Sequence, residues 1–264
     1  MSQRSAADHR RAEISEMVAE QGFVRIDELA DHFSVTTMTI HRDLDDLNER
    51  GVLSKVRSGA KATPLEVIER NVTFRQHHLL DHKRAIAAAA AAWIRERDDL
   101  SVVALDDSTT VLALADLLST DESLTLVTNF RPAIERIAEA DAAKLIGIGG
   151  AFDPQFQSFH GASAIESVRS IQVDVACISA TSVWRGALYN PAEAPLLVKR
   201  AMLRQAEHSL LLIDHSKFSR RALHRQAGLE EFDAVIVDSD IDEDTLGALR
   251  SSAEHVIVAP VVQR

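Results

Sequence analysis

Four short polar clusters, each directly after an apolar run, carry groups that can do chemistry in this chain. Asp106-Asp107-Ser108-Thr109-Thr110 follows the run 101–105 and opens a helix. Hydroxyls and backbone N–H groups at a helix N-terminus make an anion site. Thr128-Asn129 follows 124–127, Gly149-Gly150 follows 144–148, and Asp214-His215-Ser216-Lys217-Phe218 follows 209–213. The helix dipole and the Lys217 ammonium suit a phosphate. The carboxylates and the Asn129 amide suit hydroxyls. Each piece also has a plain structural use: Asp106 and Thr109 as caps, Asn129, Asp214 and Ser216 as turn formers, the glycines as tight backbone. Their common placement favours a site for a small phosphorylated polyol made of Asp106, Asp107, Ser108, Thr109, Thr110, Thr128, Asn129, Gly149, Gly150, Asp214, Ser216 and Lys217.

A second group lies near the N-terminus. In Val35-Thr36-Thr37-Met38-Thr39-Ile40-His41-Arg42-Asp43-Leu44, Thr36 stands where an N-cap is wanted, able to accept from the Thr39 N–H. Ile40, Leu44 and Leu47 give one buried stripe. Thr37, Met38, Thr39, His41 and Arg42 lie early in the helix, where helix-turn-helix proteins reach base edges and phosphates. With Thr36 and the cations Arg11, Arg25, Lys55 and Arg57 they form the expected DNA-binding set. A third group, His77, His78 and His82, has no acidic or third-histidine partner in helical register beyond the His78/His82 pair. It reads as a solvated face, so neither a metal nor a cofactor is expected.

These groups need elements to hold them. An apolar helical face at Ile14, Met17 and Val18 ends at Gly22, and Phe23-Val24-Arg25-Ile26 reads as an extended link. Asp27 is placed to cap a helix through Phe33, Ser34-Val35 is the turn, and Gly51 follows the recognition helix. Val52 to Gly59 alternates and ends in a Ser-Gly turn, a small β-wing. This predicts a winged helix-turn-helix over residues 1–60 and a linker over 61–75 with Pro64 as breaker. From 76 to 264 strands and helices alternate: strands at 101–105, 124–127, 144–148, 173–178, 209–213, 234–237 and 255–258, helices near 81–96, 110–118, 132–140, 162–170, 195–207 and 242–250. Near-continuous apolar strands between helices indicate a largely parallel sheet covered on both faces, with ligands at the C-terminal strand ends.

Composition narrows the function classes. A net charge of −11 over 264 residues argues against a general polyanion binder. Residues 1–60 hold eight Lys or Arg against eleven Asp or Glu. DNA contact therefore depends on placement, with Arg10, Arg11, Arg25, Arg42, Lys55 and Arg57 on one face and Glu16, Glu20, Asp45, Asp46 and Glu49 on the other. The single cysteine, Cys177, excludes an intrachain disulfide and sits in an apolar strand. The N-terminus lacks a signal-peptide core, and Ala85 to Ile94 is too short to span a bilayer, so a cytoplasmic protein without membrane contact is expected.

Over nearly its whole length the chain resembles the DeoR family of bacterial transcriptional regulators. The resemblance is carried by Arg10, Ile14, Val18, Thr36 and Thr39-Ile40-His41-Arg42-Asp43-Leu44. It continues through an Asp-x-Gly-Thr-Thr-like loop at 106–110, Val-Thr-Asn at 127–129, Gly-Gly at 149–150, Phe-x-Gly at 159–161, Val-Lys-Arg-Ala-Met at 198–202 and Asp-x-Ser-Lys-Phe at 214–218. It implies a C-terminal α/β domain resembling ribose-5-phosphate isomerase that senses a phosphorylated sugar or related metabolite. It also implies a repressor of a carbohydrate-catabolism operon that acts on double-stranded operator DNA as a homodimer or homotetramer. Ser108 stands where the family has glycine, His41 where it has a second arginine, Arg57-Ser58-Gly59 where it has His-Gly-Gly, and Leu197 where an acidic residue is usual.

The competing reading is a sugar-phosphate isomerase with an accessory domain, which needs a carboxylate base and a group that stabilises enediolate charge. In isomerases related to the family, acidic residues follow the strand corresponding to 173–178. Here Ser179-Ala180-Thr181-Ser182 follow. Asp106, Asp107 and Asp214 remain possible bases. A sensor without catalytic residues is the expectation, with the linker and the helix at 81–96 as candidates to pass the signal.

Overall fold

The computed structural model describes residues 3–49, 52–62 and 71–262. Cα packing divides the chain into two compact units, Met1–His78 and Leu79–Arg264. The first holds α1 (Gln3–Gln21), β1 (Phe23–Arg25), α2 (Ile26–His32), α3 (Thr37–Glu49), β2 (Leu53–Val56), β3 (Gly59–Ala62) and α4 (Val72–His77). Ile14 and Val18 of α1, Leu29 of α2, and Ile40, Leu44 and Leu47 of α3 recur at helical spacing. They meet Val24 and Leu53 of the small sheet in one core. The strands pair antiparallel in the order β1-β3-β2.

Three local expectations change here. The helix expected to be capped by Asp27 starts at Ile26, because the Glu28 carboxylate reaches back to accept from the Arg25 N–H (3.1 Å) and Ile26 is buried. The wing gains a second strand, β3, over residues assigned by sequence to its closing turn and the linker. Gly59 is required in it, since a Cβ there would lie 2.1 Å from the Val24 carbonyl oxygen. The expected separation of charges also fails. Arg10 and Arg11 close on the buried Asp43 at 2.6 and 3.0 Å, Arg11 also meets Asp46 at 3.4 Å, and Lys55 holds Asp45 at 2.5 Å. Gly51, Pro64 and the side chains of Glu16 and Glu20 lie outside the described residues.

The second unit is built on a seven-stranded parallel sheet. Its strands are β4 (Val102–Leu105), β5 (Thr125–Thr128), β6 (Lys144–Gly147), β9 (Val173–Ile178), β12 (Ala206–Ile213), β14 (Ala234–Asp238) and β15 (Val256–Ala259). Helices α5 (Leu80–Arg95), α6 (Thr109–Leu118), α7 (Arg131–Ala140), α8 (Ala162–Arg169), α9 (Glu193–Gln205) and α10 (Glu243–Ser252) cover it. Ala104, Val127, Ala176, Leu211 and Val235 share a core with Val168 of α8, Val198 and Met202 of α9, and Leu249 of α10. The Ala-rich α5 buries Ile86, Ala87, Ala90, Ala91 and Ile94, and its small side chains let it lie close on β12, β14 and β15.

The strand order is β15-β14-β12-β9-β4-β5-β6. The chain runs outward from β4 to β6, then returns to the other side of β4 for β9 and continues outward to β15. The order therefore reverses between β4 and β9, and the crevice beyond their C-terminal ends is where ligands of such sheets bind. Two small sheets absent from the sequence reading flank that end. One is the hairpin β7 (Ala151–Asp153) and β8 (Ser158–His160). The other orders β10 (Ser182–Trp184), β11 (Ala187–Asn190) and β13 (His224–Gly228) in an antiparallel array.

Candidate functional site

The DNA-reading face is built on α3. Thr36 caps it as the sequence requires: its Oγ1 accepts from the Thr39 N–H at 3.2 Å and lies 3.0 Å from Thr39 Oγ1. Thr36, Thr37, Met38 and Arg42 are exposed, Met38 to 62%, which is more than any packing role leaves a methionine. Thr39 and His41 are half-buried. Lys55 on β2 donates to the His41 carbonyl (3.3 Å) and so braces the wing on the helix. Arg57 lies exposed at the wing's turn, and Arg25 is exposed beside Asp27 at 3.9 Å. Arg42 and Arg57 have no ion-pair partner among the described residues, whereas Arg11 is engaged with Asp43 and Asp46 inside the unit.

A buried ionic network lies at the switch point. Asp106 accepts from Ser108 N–H (2.9 Å) and, across the gap to the end of β9, from Ser179 N–H (2.8 Å). The Lys199 ammonium, from α9, donates to Asp106 and lies 2.8 Å from Asp107 Oδ1. On its other oxygen Asp107 accepts from Ser158 Oγ at 3.0 Å, with His160 Nε2 at 3.4 Å. Burial works against charge on Asp107, yet the Lys199 ammonium and His160 hold its carboxyl far below the usual carboxylate range. Burial also disfavours the Lys199 ammonium, but Asp106 and Asp107 outweigh it and raise its pKa. Asp107 and Lys199 therefore stand as an ion pair, and Asp106 accepts from the same ammonium.

The network runs on at both ends. Asn129, after β5, donates from Nδ2 to the Phe159 carbonyl (2.9 Å), which orients its Oδ1 the other way. Gln226 on β13 donates from Nε2 to the Ser179 carbonyl (3.3 Å). Asn129 Oδ1 and Gln226 Oε1 are buried acceptors with no partner among the described residues. Buried polar atoms are almost always paired, so two orphan acceptors beside one crevice call for donors from a ligand or water.

The remaining candidate residues have these places. Ser108 caps α6, its Oγ accepting from the Val111 N–H (3.2 Å). Thr109 and Thr110 are buried in its first turn, and Thr128 Oγ1 accepts from the Phe130 N–H (3.2 Å). Gly150 adopts φ +145°, and a Cβ there would meet the His160 carbonyl oxygen at 2.5 Å, so it serves close packing on β8. A Cβ on Gly149 would meet nothing within 4 Å. Asp214 caps a short 3-10 turn by accepting from the Ser216 N–H (3.1 Å). Burial opposes its charge, but Lys217, Lys83 and the Ser216 hydroxyl hold it well below the usual range. The Cys177 thiol is fully buried, and that burial, with Asp106 beside it, pushes its pKa up and makes it inert.

Lys199, Ser158, His160, Ser179 and Gln226 are absent from the residues expected by sequence. For Lys199 a signal existed: it lies three residues from both Leu196 and Met202, on the buried stripe of α9. A lysine there must find a buried counter-charge. The three histidines weighed for a metal each have their own neighbours. His77 Nδ1 lies 2.8 Å from the Thr73 carbonyl oxygen, His78 stacks on Phe74, and His82 meets Asp240 at 2.7 Å.

A winged reading head followed by an α/β unit with a polar cluster at its switch point defines a two-part regulator class. A family profile described as "DeoR-like helix-turn-helix domain" matches residues 10–64, and one described as "DeoR C terminal sensor domain" matches residues 79–239. The transcriptional regulator YgbI of Escherichia coli is 34% identical over 250 residues, covering 95% of this chain and 97% of the relative. The glycerol-3-phosphate regulon repressor of Escherichia coli is 28% identical, covering 86% and 88%. Among solved structures, ribose 5-phosphate isomerase A from Methanocaldococcus jannaschii aligns with 53% of this chain and 54% of its own, at 15% identity and a TM-score of 0.38. The chain belongs to the DeoR family. It is a DNA-binding transcriptional regulator and not an enzyme. No helix among the described residues is long and apolar enough to cross a membrane.

Proposed function

We propose that this regulator represses a carbohydrate-catabolism operon in the cytoplasm, as a homodimer or homotetramer, and is released from its operator, or retuned on it, by a phosphorylated sugar or related metabolite. The observation that carries the reading is the crevice between β4 and β9. It presents the Asp106–Lys199–Asp107 ion pair together with the orphan acceptors Asn129 Oδ1 and Gln226 Oε1. Acceptors in that number suit a ligand rich in hydroxyl donors. The first turn of α6, at Thr109 and Thr110, and the Lys217 ammonium supply the positive field for a phosphate. The relatives include a glycerol-3-phosphate regulon repressor and an L-fucose operon activator, which supports a carbohydrate-related metabolite.

On the DNA side, Thr36, Thr37, Met38, Thr39, His41 and Arg42 read the major groove, while Arg25, Lys55 and Arg57 serve the phosphates, with Arg11 acting through the position of α3. For the ligand to act, it must favour one state of the protein over another. The test is a thermal-shift screen of the whole protein against pentose, hexose and triose phosphates, followed by gel retardation on DNA upstream of its own operon. A hit stabilises the protein, weakens or alters the retarded band without turnover, and loses its effect in Lys217→Ala while operator binding persists. Turnover of a sugar phosphate, or a full response in Lys217→Ala, overturns the respective part.

A further inference from the structure

Outside that crevice, a fully buried carboxylate, Asp238, ends β14 with no lysine or arginine bonded to it among the described residues. Asp238 accepts from the backbone N–H groups of His215 (2.8 Å) and Asp240 (3.1 Å), and its Oδ1 lies 2.8 Å from His215 Nδ1. The His82 ring, on α5, lies 5.1 Å from the His215 ring, and His82 Nε2 lies 2.7 Å from Asp240 Oδ2. One donor atom each from His82, His215 and Asp238 fall within 4.8 Å of one another.

We propose that His82, His215 and Asp238, with Asp240 as the fourth donor, form a binding site for a divalent first-row transition cation of the zinc class. Two imidazole nitrogens and two carboxylate oxygens are the borderline donor set such ions take in four-coordinate geometry. Metal–donor distances of about 2.0–2.2 Å place tetrahedral neighbours roughly 3.3 Å apart. The His215–Asp238 contact at 2.8 Å must therefore open slightly, the widest separation among His82, His215 and Asp238, up to 4.8 Å, must close, and Asp240, outside that group, must swing in from its contact with His82. Both imidazole side chains retain some exposure, 18% for His82 and 29% for His215, so their rings have room to turn. Two carboxylates neutralise a divalent cation. The bond from the His215 N–H to the Asp238 carboxylate orients that ligand as an outer-shell contact does.

The site would tie three segments distant in sequence: the first turn of α5, the turn after β12 and the end of β14. His215 directly follows Asp214, so an ion here would also stiffen the turn that carries Lys217. Without an ion the same contacts stand as two imidazole–carboxylate pairs, and the experiment separates the two states.

The whole protein, stripped with chelator and dialysed, is titrated with Zn²⁺ by calorimetry and with Co²⁺ by visible absorption. The expected result is one equivalent bound per chain with the intense visible bands of four-coordinate cobalt. Loss of an outer-shell partner alone costs about 10–100-fold in affinity, so His82→Gln and His215→Gln should each lose at least about 10-fold. The double variant His77→Gln/His78→Gln should bind as the parent does. Circular dichroism checks that each variant is folded. Should His215→Gln fail to fold, the partly exposed His82→Gln carries the test alone. Absence of stoichiometric binding, binding untouched by both single variants, or binding lost in the double variant overturns the site.

Discussion

Replacing Lys199 by methionine tests the switch-point network most directly. Methionine keeps much of the aliphatic volume and removes only the ammonium that lies between Asp106 and Asp107, whose side chains are 0% and 5% exposed. Taking away one partner of a buried ion pair costs about 3–5 kcal/mol, because the other charge stays buried and uncompensated. That corresponds to roughly two to four powers of ten in the folding equilibrium. Trp93 and Trp184 both lie in the second unit, so their fluorescence during urea unfolding reports on this unit alone. The pH dependence has a definite sign. In the parent, the Asp107 pKa is depressed, so its contribution is complete above the usual carboxylate range and is lost only as pH falls below it. In Lys199→Met, burial remains and the cation is gone, so a carboxyl has a raised folded pKa and relaxes by taking a proton. The gap between parent and variant should therefore narrow from pH 7.5 to pH 5, and adding Asp107→Asn should recover part of the loss at pH 7.5. A loss under about 1 kcal/mol, the scale of an exposed pair, or a gap that ignores pH would refute the buried-pair account.

Three further outcomes follow from the structure. Arg42→Ala should weaken operator binding by about 1–3 kcal/mol if it reads a base, while Arg57→Ala should weaken all sequences alike and lower the salt slope by about 1. Gel retardation or anisotropy at several salt concentrations separates the two, and unchanged affinity in Arg42→Ala would take α3 out of the groove. Gly150→Ala sets a methyl against the His160 carbonyl at φ +145° and should destabilise the second unit by about 1–3 kcal/mol in the same urea assay. An unaffected midpoint would mean that the hairpin β7–β8 yields freely.

The periodicities of the chain located most elements to within a few residues. Ile40, Leu44 and Leu47 defined α3, and the apolar runs around 102–105, 173–178 and 234–238 defined sheet strands. Thr36 was legible as a cap because its chemistry is local. The short hairpins were not legible: β7, β10 and β11 carry only three or four residues each, too few for a period to emerge. Arg10 and Arg11 looked like cations for DNA because nothing local shows that Asp43, more than thirty residues on, lies against them.

What the linear chain determined by itself is whatever depends on neighbours within a few residues: helix phase, caps, the apolar strands, and the polar clusters that follow them. Tertiary structure alone decided which distant charges meet. Lys199 reaches Asp106 across 93 positions of sequence, and His82 reaches Asp240 across 158. The stripe of α9 marks Lys199 as a buried charge that needs a partner, but no periodicity says which distant carboxylate answers it, and only the folded sheet order settles that.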